Sequence, residues 1–165
     1  MFARRFAVLI ALLVASCGRS STTDRAEPPT PAPAPSAPAP ASSGIPSIEP
    51  ADLAAQLDTA QPRPLLFQVG FKKLYEQAHI PGSEYFGPGN DEAAIGRLRD
   101  RVTSLPRDTP IVVYCGCCPW ERCPNVKPAY ALLHELGFTR AKVLSIPNNF
   151  GDDWAAKGYP VASGM

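Results

Sequence analysis

Four cysteines fall within nine residues, in the run Cys115-Gly116-Cys117-Cys118-Pro119-Trp120-Glu121-Arg122-Cys123. A thiolate is a nucleophile, a redox centre and a ligand for soft metals, so this loop is where the chain's chemistry is concentrated. Structural cross-linking explains it poorly. Bridges across such short loops remove little chain entropy, and a Cys117–Cys118 bond would join adjacent residues at an awkward geometry. Three chemistries remain open. The first is a cysteine that accepts an extra sulfur as a persulfide, its anion held by unpaired backbone N–H groups at a helix N-terminus. Arg122 would add charge and forked donors for an anionic sulfur donor such as thiosulfate. The second is thiol–disulfide exchange, with Cys115-Gly116-Cys117-Cys118 as a C-x-x-C and Cys118 and Cys123 as resolving thiols. The third is a copper or zinc site on Cys115, Cys117, Cys118 and Cys123, a nonenzymatic binding module. Trp120 either lines the mouth of the site or closes it against water.

The segments around this loop must position it. Ile111-Val112-Val113-Tyr114 is β-branched and reads as a buried central strand. Cys115 stands at its carboxyl end, where ligand crevices of parallel sheets form. Val126 to Leu136 is helical, with Asn125 as its expected N-cap, Pro128 in the first turn and Gly137 at the C-cap. Pro50 to Leu57, Lys72 to Ala78, Asp91 to Val102 and Phe150 to Lys157 read as helices. Leu65 to Val69 and Lys142 to Ile146 read as strands. Alternating elements of these lengths predict an α/β sandwich with a mostly parallel sheet over residues 46–165.

The rest of the chain is of a different kind. Residues 1–16 read as a signal peptide, with Arg4 and Arg5 ahead of the apolar run Phe6 to Ala15. Val14-Ala15-Ser16-Cys17 resembles the bacterial lipobox, which implies lipidation of Cys17 and a membrane-anchored lipoprotein facing the periplasm or cell exterior. Ordinary secretion, with Cys17 left as a free thiol, is the alternative. Prolines 28, 29, 31, 33, 35, 38 and 40 alternate with Ala and Ser inside the segment 17–45. Fixed φ and missing donors leave neither helix nor sheet available there. At ~3.1 Å per residue, such a stalk can hold a domain up to about 80 Å from a membrane. The formal net charge of the chain is only +1, which speaks against a nucleic-acid-binding face.

His79-Ile80-Pro81-Gly82-Ser83, Ile111 to Cys115, Leu136-Gly137-Phe138 and Trp154 with Gly158-Tyr159-Pro160-Val161 together resemble a single-domain rhodanese. The resemblance spans 46–165 and implies a rhodanese-like three-layer α/β sandwich. It also implies transfer of sulfane sulfur through a persulfide on Cys115, from a small anionic donor to a thiol acceptor and without a cofactor. The departures fall on the chemistry. Gln68-Val69-Gly70 stands where the family commonly has Asp-Val-Arg, and Asn148-Asn149 where it has Gly-Gly. The family's arginine comes five residues after its cysteine; that spacing is met from Cys117 to Arg122, not from Cys115, so Cys117 is the second candidate for the catalytic cysteine, behind Cys115, which the strand geometry favours. His79 and His134 read as structural, Trp154 as core, and Arg97, Arg99 and Arg101 as a solvated helix face.

Overall fold

The computed structural model describes residues 44–165. The expected signal segment, Cys17 and nearly all of the stalk lie outside the described residues. Five strands form one sheet, β1 (Ser47–Ile48), β2 (Leu65–Gln68), β3 (Glu84–Tyr85), β4 (Ile111–Tyr114) and β5 (Ala141–Leu144), in the order β1-β5-β4-β2-β3. Every pairing is parallel, so the sheet goes beyond the mostly parallel one expected. The helices are α1 (Pro50–Thr59), α2 (Lys72–Gln77), α3 (Glu92–Val102), α4 (Val126–Glu135) and α5 (Phe150–Asp153). Short 3-10 turns cover Trp120–Arg122 and Ala155–Lys157. Among the described residues no helix is long and apolar enough to cross a membrane.

Side chains alternate across β4, and that alternation assigns the two cores. Ile111 and Val113 join Leu98 and Val102 of α3 and Ala129, Leu132 and Leu133 of α4 on one face. Val112 and Tyr114 join Leu53 and Leu57 of α1, Ile80, Phe150 and Trp154 on the other. All four residues of β4 are buried, which is why the strand reads as a continuous apolar run rather than an alternating one. Cys115 keeps the parity of Val113 and therefore enters the core shared with α3 and α4. Asp91 caps α3 by accepting from the Ala94 N–H at 2.9 Å, which fixes where that helix begins.

Some elements differ from the sequence expectation. The edge strands β1 and β3 are two residues each, too short to show a period. The expected last helix breaks at Trp154, whose backbone leaves the helical region at φ −123°, ψ −66°. The arginines of α3 are not a uniformly solvated face. Arg97 donates from Nε and Nη2 to the Phe86 carbonyl at 3.2 and 2.6 Å, and Arg101 makes a forked pair with Glu84 at 2.7 and 2.8 Å. Both tie α3 to the segment around β3.

The His79–Ser83 turn is a structural clamp. His79 Nδ1 lies 2.7 Å from the Tyr75 carbonyl, and its ring stacks on Tyr75 with centroids 3.9 Å apart. The buried Tyr114 hydroxyl accepts from the Ile80 N–H at 3.1 Å and shares a hydrogen bond with Ser83 Oγ at 2.8 Å. At the far end of the chain, Trp154 Nε1 donates to the Pro160 carbonyl at 2.8 Å. Asp153 accepts from both the backbone and the side-chain amide of Asn148 and from the Asn149 N–H. That carboxylate organises the turn where a Gly-Gly pair was absent.

Candidate active site

The carboxyl end of β4 delivers Cys115 into a cleft that its neighbours are shaped to leave open. Gln68, at the end of β2, donates from Nε2 to the Cys115 carbonyl at 3.0 Å and accepts from the Gly70 N–H at 3.1 Å. A Cβ on Gly70 would stand 2.8 Å from Cys115 Sγ and 2.8 Å from Gln68 Nε2, closer than carbon and sulfur tolerate. The departures at 68 and 70 thus fit together: an amide holds the cysteine's backbone, and a missing side chain makes room for its sulfur. Next, Gly116 turns the chain with φ +81°, a conformation glycine adopts without steric cost. Its carbonyl accepts from the Phe150 N–H at 3.0 Å, and the Trp120 N–H donates to Ile146 at 2.9 Å. These bonds pin both ends of the cysteine turn to the segment after β5.

The thiols gather on one another. Cys115 Sγ lies 3.3 Å from Cys117 Sγ, which lies 3.2 Å from Cys118 Sγ. The sulfurs of Cys115, Cys117 and Cys123 all sit within 4.8 Å of one another. Cys115 and Cys123 are buried, while Cys117 and Cys118 are partly exposed. The hydrogen bond shared with Cys123 and the burial of the site raise the Cys115 pKa, against weaker lowering by the Asn125 amide and the Cys117 N–H. Cys123 goes the other way, to about 5. Its hydrogen bond with Cys115 is the largest cause, and the N–H groups of Asn125 and Val126 add to it. Burial, the thiol of Cys117 and the charge of Cys123 push Cys118 up to about 12. The hydrogen bond from Cys115, joined by the N–H groups of Asn125 and Val126 at the start of α4, therefore places the anion on Cys123 and leaves Cys115 as the neutral partner.

Beside Cys115 and Cys117 opens a cavity of about 330 Å³, also lined by Gln68, Leu74, Gln77, Ala78 and Phe150. Its remaining lining residues include no lysine or arginine. Arg122 lies exposed on the 3-10 turn and is not part of this lining. The charge expected to cradle a donor is thus carried away from the cavity by that turn. Trp120 does not form the mouth either. It is buried in the core with Cys123 and Val126, which supports the loop from beneath.

Asn125 is at the cap position of α4 but makes no side-chain cap bond. Instead it is buried, its Nδ2 is 3.5 Å from Cys115 Sγ, and its Oδ1 has no hydrogen-bond partner among the described residues. Sequence reasoning missed this contact. Asn125 carries a polar amide at the start of a helix that packs on the strand bearing Cys115, and that was the available signal.

A family model described as a rhodanese-like domain matches residues 49–146. Among solved structures, a Bacillus halodurans protein is similar at 24% identity and TM-score 0.55, covering 72% of this chain and 77% of its own. A single-domain sulfurtransferase from Saccharomyces cerevisiae is similar at 15% identity and TM-score 0.51, covering 71% of this chain and 94% of its own. A yeast protein tyrosine phosphatase of the rhodanese family is similar at 16% identity and TM-score 0.52, with coverages of 74% and 95%. These likenesses establish the fold. No curated protein matches the chain.

Proposed function

The chain belongs to the rhodanese-like domain family, and from that premise we propose that it is a sulfurtransferase or persulfide carrier that holds sulfane sulfur on Cys115. The observation that carries this reading is the placement of Cys115 Sγ. It heads the loop after the central strand, borders a cavity, and is approached by the Asn125 amide at 3.5 Å. Together with the Cys117 N–H, that amide supplies donors suited to a sulfur anion without a cation in the cavity wall. The similar single-domain yeast sulfurtransferase supports the same chemistry.

In the proposed step, Cys115 passes its proton to the Cys123 thiolate with which it shares a hydrogen bond, and its sulfur attacks the outer sulfur of an anionic donor. With thiosulfate, a bond forms between Cys115 Sγ and that sulfur, the donor's S–S bond breaks, and the electron pair leaves on sulfite. An acceptor thiolate then attacks the outer sulfur, and the pair from the breaking bond returns to Cys115. Charge and electrons balance in both halves, and no cofactor is needed. The expected result is a gain of one sulfur in intact mass after thiosulfate, lost on addition of a thiol. A protein that gains no sulfur from thiosulfate or from an organic persulfide would overturn the reading.

The site of action belongs to the same proposal. The lipobox-like Val14-Ala15-Ser16-Cys17 and the proline-rich segment support a domain tethered outside the cytoplasm through acylated Cys17. More than one acyl chain, at about 0.8 kcal/mol per buried CH₂, gives lasting attachment. Acyl labelling and membrane fractionation should both be lost in Cys17→Ser. Equal fractionation of the variant, with no lipid on the wild type, would remove the anchor.

A further inference from the structure

We propose that Cys115, Cys117 and Cys123 form a three-coordinate thiolate site for a single soft monovalent cation, Cu(I). Their sulfurs come from three separate anchors: the end of β4, the turn after Gly116, and the residue two positions before the cap of α4. No two are adjacent in sequence, so converging on one ion requires no strained vicinal pair. At a metal–sulfur bond of about 2.3 Å, a planar three-coordinate ion holds its ligand sulfurs about 4 Å apart. The observed sulfurs, 3.3 Å apart for Cys115 and Cys117 and all within 4.8 Å of one another, need only small shifts to reach that separation.

The number of ligands selects the metal. Structural zinc takes four ligands in a tetrahedron, and Cys118 is not part of the mutually close set. Cu(I) has a filled d shell, imposes little geometry of its own, and is satisfied by soft thiolates. The surroundings fit a thiolate cluster. Cys115 and Cys123 are 4% and 1% exposed, while the partly exposed Cys117 gives the ion an entry side. The Asn125 amide, buried and 3.5 Å from Cys115 Sγ, is the kind of supporting donor that orients a metal-bound thiolate.

Cu(I) enters already reduced. The three cysteines coordinate as thiolates, any proton they still carry passes to solvent, metal–sulfur bonds form, and no electron is transferred. Because Cys115 would be a ligand, bound copper and the proposed persulfide exclude each other. The metal site itself is independent of the sulfur-transfer reading.

The test is an anaerobic titration of the reduced full-length protein with Cu(I) held by a chromophoric chelator, read by chelator absorbance and native mass. One Cu(I) per chain is expected. Cys117→Ser and Cys123→Ser should each weaken retention by about tenfold or more, and Cys118→Ser by less than about threefold. Circular dichroism checks the fold of each variant, and the partly exposed position 117 keeps the test decisive if Cys123→Ser does not fold. Failure to withdraw copper from the chelator overturns the proposal. So does a loss in Cys118→Ser equal to that in Cys117→Ser, which would indicate a different ligand set. Sulfur loading by mass, measured on the metal-free protein, reports separately on the persulfide.

Discussion

Tyr114 and Cys115 are consecutive residues at the end of β4, and they face opposite cores. Around Tyr114, polar groups are committed to structure. Its hydroxyl takes the Ile80 N–H and Ser83 Oγ, Tyr75 donates to the Ser83 carbonyl, and His79 is held against Tyr75. Around Cys115 the polar groups are sulfurs facing sulfurs, with an amide oxygen left without a partner. A buried polar group that goes unpaired costs about 1–3 kcal/mol. The Tyr114 side avoids that penalty, while the Cys115 side keeps reactive groups together at some cost in stability. The contrast separates a histidine motif that builds the fold from a cysteine motif whose thiols are gathered on one another.

The sharpest way to break this comparison is Cys115→Ser. If Cys115 carries the sulfur, the variant should gain none from thiosulfate in intact mass, while its unfolding midpoint shifts little. Full sulfur loading of this variant would move the chemistry to Cys117 or Cys123. Gly70→Ala should come next. Its new Cβ presses on Cys115 Sγ and Gln68 Nε2 at 2.8 Å, and displacing a reacting atom by a fraction of an ångström should slow sulfur loading about tenfold. Stopped-flow or timed mass measurements check it, and an unchanged rate would show that the space over Cys115 is not limiting.

Ser83→Ala probes the other side. It removes the 2.8 Å bond to the buried Tyr114 hydroxyl and should cost about 1 kcal/mol of stability, read by denaturant unfolding. Sulfur loading per folded molecule should stay at the wild-type rate. A variant that lost loading but kept its stability would dissolve the division between the two faces.

What was legible in the sequence follows the same division. The β-branched run 111–114 and the apolar period of Val126 to Glu135 are local signals, and they placed Cys115 at the head of the loop before any helix. Family-like motifs located His79 and Trp154, and their structural roles follow from the hydrogen bonds they make. The two-residue strands β1 and β3 carry no period and depend on pairing with strands already formed. The roles of Gly70, Asn125 and Arg97 depend on which distant atoms they meet, and spacing along one chain does not encode that. The same is true of the thiols: nine residues of sequence imply their proximity, but not which of them the hydrogen bonds of the folded loop favour as the anion.

The smallest expected effect concerns Arg122, and it tests how far sequence spacing can be trusted. The interval from Cys117 to Arg122 suggests a guanidinium over the sulfur. In the structure the 3-10 turn Trp120–Arg122 intervenes. Trp120 is turned into the core, and its N–H is bonded to the Ile146 carbonyl at 2.9 Å. With that residue fixed inward, Arg122 emerges exposed and outside the cavity lining. A charge in solvent acts on a distant anion only through screened attraction, which fades over about 8 Å at physiological salt. Arg122→Ala should therefore change the apparent affinity for thiosulfate by less than about twofold at that salt, and less still as salt is raised. A loss of tenfold or more, unmoved by salt, would mean that the turn reorganises when the donor binds and brings the guanidinium over the sulfur. The donor anion would then be held by charge, as the spacing suggested, rather than by the neutral amides that surround Cys115.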